Sequence, residues 1–257
     1  MIWRLGVAGF PVAHSLSPRL QRAGLAACGI EGESTFVELR EDQGHELAGL
    51  MGTRFDALSI TMPLKGLARA IADEVDQTAR RVGAVNSLWW RDGRLRGANT
   101  DGVGFLDAID ADLGLSPGGL RVVILGAGGA ARAIADALVR AGASVAVRAR
   151  REAAARELTT AVPGVVLATG RGEIDLVVNT TPAAGRDAPS LEPGVGPTTR
   201  AVDITYEPRR TPWRALYDDA GCVSTNGLGM LAYQAARQMS WWWDRPVSGA
   251  ELREVIA

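Results

Sequence analysis

Arg121-Val-Val-Ile-Leu-Gly126-Ala127-Gly128-Gly129-Ala130-Ala131 runs a buried-strand pattern straight into a glycine-rich turn, and Ala130 to Ala141 then continues as a helical pattern. Gly126-x-Gly128-x-x-Ala131 matches the dinucleotide-binding fingerprint in its required setting, strand before and helix after. The first glycine permits the tight turn, and the second lets the backbone approach a pyrophosphate. Ala131 allows close helix–strand packing, and the helix N-terminus attracts phosphate charge. The alternative is a plain tight turn between strand and helix.

The next strand, Ser144 to Val147, ends where a carboxylate would bind the ribose 2′-OH of NAD. That place holds Arg148-Ala149-Arg150-Arg151, with no carboxylate until Glu152. Guanidinium groups suit a 2′-phosphate, which they bind bidentately, so NADP is expected over NAD. A solvated basic loop is the bland alternative in a chain this rich in arginine.

Outward from this unit, short apolar runs alternate with helical patterns. Leu5 to Phe10, Ser34 to Leu39 and Ala57 to Thr61 read as strands, Pro18 to Cys28 and Gln43 to Met51 as helices. Pro63 reads as the first-turn residue of another helix. Ala84 to Trp90 and Arg94 to Ala98 flank Asp92-Gly93, a strong two-residue hairpin signal. A helical segment, Phe105 to Leu113, precedes the dinucleotide unit. Asp175 to Asn179 and Ala201 to Ile204 are further strands, and Gly227 onward reads mainly as helix. This alternation predicts an α/β protein of two domains, with a mostly parallel sheet plus an antiparallel hairpin in the first. Residues 1–100 form the expected first domain, with 227–257 packing back on it, and 101–226 the dinucleotide-binding domain.

The chain has 257 residues with 28 basic and 29 acidic side chains, a net charge of −1. Hydrophobic residues at 47% and charged residues at 22% are the balance of a globular protein, which excludes disorder. Near-neutral charge argues against nucleic acid as a partner. No apolar run approaches the ~20 residues a bilayer demands. Leu5 to Ala13, broken by Gly6, Gly9 and Pro11, reads as a strand entering a loop and not as a signal core. Cys28 and Cys222 show no metal-like or redox-like spacing, so a reducing, cytoplasmic setting is expected and no metal.

The 28 basic residues are 27 arginines and one lysine, Lys65, and asparagine occurs only at 86, 99, 179 and 226. Lysine can give up a proton or meet a developing alkoxide as a compact charge, whereas arginine stays protonated. Lys65 is therefore a candidate for chemistry, against the reading of one surviving surface lysine. Asp101, in Asn99-Thr100-Asp101-Gly102, reads alone as a helix N-cap. Ser15 and Ser17 before Pro18 make a good helix start, or equally a receptor for a carboxylate. Asn86 sits in an apolar strand, so its amide either ties down a loop or faces a polar ligand.

Together these motifs resemble the shikimate dehydrogenase family. Ser15-Leu-Ser17-Pro18, Thr61-Met-Pro63-Leu-Lys65, Gly83-Ala-Val-Asn86-Ser, Asn99-Thr100-Asp101-Gly102 and Gly126-Ala-Gly-Gly129-Ala carry the resemblance. Asn179-Thr-Thr-Pro182, Asp203-Ile-Thr-Tyr206-x-Pro208 and Asn226-Gly-Leu-Gly-Met230-Leu-x-x-Gln234 continue it over almost the whole chain. The resemblance makes the first domain the substrate-binding domain, and it implies a Rossmann-type NADP-binding domain and NADPH-dependent reduction of 3-dehydroshikimate to shikimate, towards aromatic amino acids. By that match Lys65 and Asp101 are the catalytic pair. Ser15, Ser17 and Tyr206 meet the substrate carboxylate, and Thr61, Asn86 and Gln234 its ring hydroxyls. Gly126, Ala127, Gly128, Gly129, Ala130 and Ala131 cradle the pyrophosphate, and Arg148, Arg150 and Arg151 read the adenosine phosphate. Thr180, Gly229 and Met230 lie by the cofactor. Ser59 stands where the family often has Asn, a shorter contact to the substrate, and Ala149-Arg150-Arg151 replaces the frequent Asn-Arg-Thr. The expected partner is the small substrate alone, for a monomer or homodimer. The rivals are an NAD-preferring quinate/shikimate dehydrogenase and a non-catalytic NADP(H) sensor on the same fold.

Overall fold

The computed structural model describes residues 2–170, 172–181 and 190–257. The chain divides into one unit of Met1–Gly104 with Leu231–Ala257 and a second of Phe105–Met230. The first carries β1 (Trp3–Gly9), α1 (Ser17–Ala27), β2 (Gly32–Glu38), α2 (Glu46–Leu50), β3 (Ala57–Ile60), α3 (Lys65–Ile71), β4 (Glu74–Val75), α4 (Gln77–Val82), β5 (Ser87–Arg91) and β6 (Arg94–Ala98). After α5 (Asp101–Leu113), the second carries β7 (Arg121–Leu125), α6 (Gly129–Arg140), β8 (Ser144–Arg148), α7 (Glu152–Ala161), β9 (Val165–Leu167), β10 (Leu176–Asn179), β11 (Arg200–Asp203), α8 (Pro212–Asp219) and β12 (Val223–Asn226). Helices α9 (Leu228–Trp243) and α10 (Gly249–Val255) follow. Among the described residues no helix is long and apolar enough to cross a membrane.

In the first unit the strand order is β2-β1-β3-β5-β6-β4. β1 pairs parallel with β2 and β3, and β5 runs antiparallel to both β3 and β6. The hairpin turn is Asp92-Gly93 with φ of 53° and 73°, the backbone that two-residue primed turns require. Ser17, Leu20, Gln21, Gly24 and Leu25 are the buried face of α1, at the i, i+3, i+4, i+7, i+8 spacing of a helix laid on a core. Leu47, Leu58, Leu64, Val85 and Leu88 are wholly buried between sheet and helices, each worth ~1.5–3 kcal/mol over exposure.

The second unit is a six-stranded, all-parallel sheet in the order β12-β11-β10-β7-β8-β9. Counted from β7, this is the 3-2-1-4-5-6 order of the Rossmann fold, and its switch point lies between β7 and β10. Val122, Ile124, Val145, Val147 and Val177 are buried in near-continuous apolar strands, as a sheet covered on both faces demands.

The two sheets use the same fastening. Arg4 on β1 takes the carboxylate of Asp56 bidentately, Nε at 3.1 Å and Nη2 at 2.7 Å, and its backbone N–H donates to the same group at 2.8 Å. Arg121 on β7 holds Asp175 in the same way at 2.9, 2.7 and 2.8 Å. Each aspartate directly precedes the neighbouring parallel strand, and its N–H donates to the carbonyl of its own arginine at 2.9 Å. The device aligns the starts of β1 with β3 and of β7 with β10.

Hydrogen bonds from Arg121 hold the Asp175 carboxyl down at about 2. At Asp56 burial pushes the carboxyl up, but the bonds from Arg4 outweigh it and leave it below the usual range. A folded-state value below the unfolded ~3.9 contributes stability that is present above that value and is lost as pH falls towards 2. Asp175→Asn should therefore lower the melting temperature modestly at pH 7 and flatten its decline on acidification. Parallel melting-temperature curves for variant and wild type between pH 7 and 2 would show that the pair adds no pH-dependent stability.

Candidate active site

Lys65 is the first residue of α3, whose N-cap is Leu64. Pro63 is not in the first turn as expected. Leu64 N–H closes a turn on the Thr61 carbonyl at 2.9 Å, so the helical ladder starts only with Ala68 N–H on the Leu64 carbonyl at 2.8 Å. Asp101 likewise stands inside α5 as its first residue, and it does not cap the helix. The first i→i−4 bond runs from Gly104 N–H to the Thr100 carbonyl, and Asn99 Oδ1 accepts from Asp101 N–H at 3.0 Å. The carboxylate is thereby turned to other donors. Lys65 Nζ donates to Asp101 Oδ2, and Asn86 Nδ2 donates to Oδ1 at 2.7 Å.

Asn86 lies one residue before β5, where its N–H still donates to the Ala98 carbonyl at 2.9 Å. Its side chain is buried and hydrogen-bonded at both ends of the amide. Oδ1 accepts from Thr100 N–H at 2.9 Å, and Nδ2 also lies 3.0 Å from Thr100 Oγ1 and 3.2 Å from Gln234 Oε1. Gln238, one turn beyond Gln234 on α9, donates to Gln234 Oε1 at 2.8 Å and to the Asn86 carbonyl at 2.9 Å. Ser59 on β3 is buried, donates to Gln238 Oε1 at 2.5 Å and accepts from Gln21 Nε2 at 2.9 Å. Gln21 and Gln238 were not expected in this shell. The signal that could have found Gln238 is its i+4 spacing from Gln234 on a helix whose remaining buried face is apolar.

A glycine makes this assembly fit. A Cβ on Gly104 would lie 2.6 Å from the backbone nitrogen and 2.7 Å from the Cα of Gln234. Ser15 Oγ donates to Ser17 Oγ at 3.1 Å and accepts from Ser17 N–H at 3.2 Å, at the start of α1. Leu16, not Ser17, is the N-cap of that helix. Thr61 is half-buried just after β3, its N–H on the Ala8 carbonyl at 2.9 Å.

In the second unit Gly126 follows β7 with φ of +109°, and a Cβ there would strike Thr180 Oγ1. Thr180 follows β10, and both its N–H and its hydroxyl donate to the Leu125 carbonyl at 2.8 Å. Gly126 and Thr180 thus meet at the carboxyl ends of the two switch-point strands. Gly128 is the N-cap of α6, and a Cβ on it would meet nothing within 4 Å. Open space over a helix N-terminus, kept open by a glycine, fits a phosphate group. Ala131 is wholly buried against the sheet, while Ala127, Gly129 and Ala130 are half-buried.

The three arginines part company. Arg148 pairs with the buried Glu192 at 3.1 Å. Burial pushes the Glu192 carboxyl up, and Arg148 pulls it back without restoring the usual range. Arg150 and Arg151 are exposed, Arg151 as the N-cap of α7. Tyr206 is half-buried after β11, Met230 is buried, and Gly229 packs where a Cβ would lie 3.2 Å from the Cβ of Ala108. Asn179 Oδ1 accepts from Thr181 N–H at 3.1 Å and Oγ1 at 2.7 Å, and Pro182 of the same motif lies outside the described residues.

A family described as the shikimate dehydrogenase substrate binding domain matches residues 7–88. Over 97% of this chain and 94% of the relative, the sequence is 37% identical to a shikimate dehydrogenase (NADP(+)) of Mesorhizobium japonicum. It is 39% identical to one of Acidiphilium cryptum over 98% of this chain and 95% of that relative. A crystal structure of shikimate 5-dehydrogenase from Thermus thermophilus, in complex with NADP(H) and shikimate, superposes with a TM-score of 0.90 at 33% identity, covering 99% of this chain and 98% of that one.

The close approach at Gly104 sets two effects against each other in Gly104→Ala. Alanine gains ~1 kcal/mol of helix propensity, but its methyl meets backbone that cannot swing aside, and overpacking costs ~1–3 kcal/mol. The clash should win, lowering the melting temperature. A variant as stable as wild type or more so would show that the two segments have room to part.

Proposed function

The chain belongs to the shikimate dehydrogenase family, and we propose that it reduces 3-dehydroshikimate to shikimate with NADPH, towards aromatic amino acids. The observation that carries the reading is the only lysine of the chain bonded to Asp101, inside a shell of Asn86, Thr100 and Gln234. NADPH, when bound, supplies the hydride that turns the ketone into an alkoxide. Lys65 stabilises that developing negative charge with its ammonium group and gives it a proton. Asp101 holds the Lys65 ammonium in place. Because the carboxylate also accepts from Asn86, its other oxygen is fixed while the lysine works.

In the same reading, Ser15, Ser17 and Tyr206 receive the substrate carboxylate. Thr61, Asn86 and Gln234 bind the ring hydroxyls. The residues that hold the dinucleotide are Gly126, Ala127, Gly128, Gly129, Ala130 and Ala131, with Thr180, Gly229 and Met230 alongside it. The space over Gly128 supports this assignment. Arg150 and Arg151 take the 2′-phosphate, since the strand end offers no free carboxylate to a ribose 2′-OH and Arg148 is engaged with Glu192. The protein works in the cytoplasm on small molecules, as a monomer or homodimer, and both cysteines are free thiols there.

Purified protein mixed with NADPH and 3-dehydroshikimate should consume reduced-nicotinamide absorbance, and no loss of absorbance would sink the reading. Lys65→Ala should fold normally and lose ~10²–10⁴ in turnover, the worth of a positioned acid–base group. Lys65→Arg should fail as well, because arginine cannot release the proton. Full activity in a folded Lys65→Ala protein would remove Lys65 from the chemistry.

The cofactor assignment has its own test. A hydrogen bond to a charged group contributes ~1.5–3 kcal/mol, and each ~1.4 kcal/mol is tenfold in affinity. Arg150→Ala should weaken NADPH binding by about ten- to a hundredfold and leave NADH binding almost untouched. Titration of both cofactors decides it, because equal losses would mean that Arg150 supports the loop and does not read the phosphate.

A further inference from the structure

We infer that Ser59 and Gln238 are a positioning pair that fixes the side-chain amide of Gln234 with its NH2 end presented to the substrate, an inference that rests on the function proposed above. The hydrogen bonds run one way through the buried interior of the first unit. Ser34 Oγ donates to Gln21 Oε1 at 2.5 Å, and Gln21 Nε2 donates to Ser59 Oγ at 2.9 Å and to the Gly6 carbonyl at 3.1 Å. Accepting from Gln21 directs the Ser59 hydrogen to Gln238 Oε1, at 2.5 Å.

That bond selects the orientation of the Gln238 amide. Its Nε2 faces two carbonyl oxygens, the Asn86 backbone at 2.9 Å and Gln234 Oε1 at 2.8 Å. Flipped, Gln238 would set its oxygen against both of them and its NH2 against the Ser59 oxygen. Gln21 and Gln238 are each 1% exposed, too deep for solvent to repair such a mismatch. Gln234 Oε1 then accepts from Gln238, from Asn86 Nδ2 at 3.2 Å and from Thr100 Oγ1 at 3.4 Å. The oxygen faces three donors, and one Nε2 hydrogen is held by the Leu231 carbonyl at 3.2 Å, so the second Nε2 hydrogen is what Gln234 offers to a ligand, and it donates.

A donated hydrogen bond suits an oxygen acceptor in both the ketone and the alcohol form of a polyhydroxylated ring. Such binding is uniform between ground and transition state and acts on KM more than on kcat. Ser59, expected as a ligand contact, serves the substrate through two intermediaries, Gln238 and Gln234. Consecutive donors of one sense polarise each other, so the whole chain from Ser34 supports the orientation.

The test compares wild type with Gln238→Met, Gln238→Glu and Ser59→Ala. Steady-state kinetics of shikimate oxidation are read with side-chain amide NMR of Gln234 in protein labelled with ¹⁵N-glutamine. Gln238→Met should raise the KM for shikimate ~3–10-fold, the worth of one neutral hydrogen bond. The KM for NADP should hold, and kcat should change less than the shikimate KM. Gln238→Glu keeps the acceptor for Ser59 but loses both donors, so its KM defect should be larger and should shrink as pH falls and the acid regains an O–H. A merely structural residue would give no such pH profile. Ser59→Ala should act in the same direction, and it carries the comparison if a Gln238 variant does not fold. An unchanged Gln234 amide signal, or a wild-type shikimate KM in folded variants, would overturn the inference. A wild-type protein without shikimate oxidation would refute the proposed function instead, and the Gln234 amide signals would still decide the positioning.

Discussion

A primary amide buried away from water has two donors and an acceptor to satisfy, and each one left unpaired costs ~1–3 kcal/mol. Asn86 is where the first unit meets that constraint. Its partners are Thr100 and Asp101 at the start of α5 and Gln234 on α9, while its backbone stays in the ladder beside β6. Two segments 134 residues apart in the chain, at Thr100 and Gln234, are thereby tied to one side chain. Lys65 joins this cluster through Asp101, so the position of its ammonium follows from the packing of an amide. The backbone of Gln234 can come this close only because residue 104 has no Cβ.

Under that cluster lies a framework whose logic is the same in both units. A parallel sheet places the ends of its strands, and the loops that follow them, on one side. Registering the strand starts therefore registers the functional ends. Arg4–Asp56 and Arg121–Asp175 do this for β1–β3 and β7–β10. The outcome at the far end of β7 and β10 is a turn so tight that Leu125 accepts from Thr180 twice and Gly126 must take a left-handed backbone. In β3, which is buried throughout, the same alignment places Ser59 inside the unit and Thr61 just past the strand end.

Much of this is written locally and so is legible in the sequence. Asp92-Gly93 dictates a hairpin because both residues accept positive φ, and Gly126-x-Gly128-x-x-Ala131 between an apolar strand and a helix dictates the switch-point turn. The lone Lys65 stands out by composition. What local reading misassigns is the reach of a side chain. Asp101 next to a helix start looks like a cap, yet the Asn99 amide takes the helix-start N–H and frees the carboxylate for Lys65. Gln21 and Gln238 look like ordinary polar interruptions of apolar helices, because their partners lie 38 and 152 residues away, at Ser59 and Asn86. Short edge strands such as β4 and β12 are set by pairing with a neighbour and carry little pattern of their own.

The cluster of arginines after β8 shows why position along a motif does not fix a role. Arg148 ends the strand at the place where a dinucleotide-binding protein most directly reads the ribose, and by position alone it would be the first choice. Its guanidinium, however, neutralises Glu192, a carboxylate 7% exposed whose burial favours the protonated form. Turning Arg148 to a phosphate would leave that carboxylate buried without its counter-charge, and an orphaned buried charge costs more than an exposed contact returns. The arginines able to meet a new anion are those whose present surroundings lose nothing when they move. It is exposure on the loop, not proximity to the fingerprint, that supports the proposal of Arg150 and Arg151 as the phosphate readers.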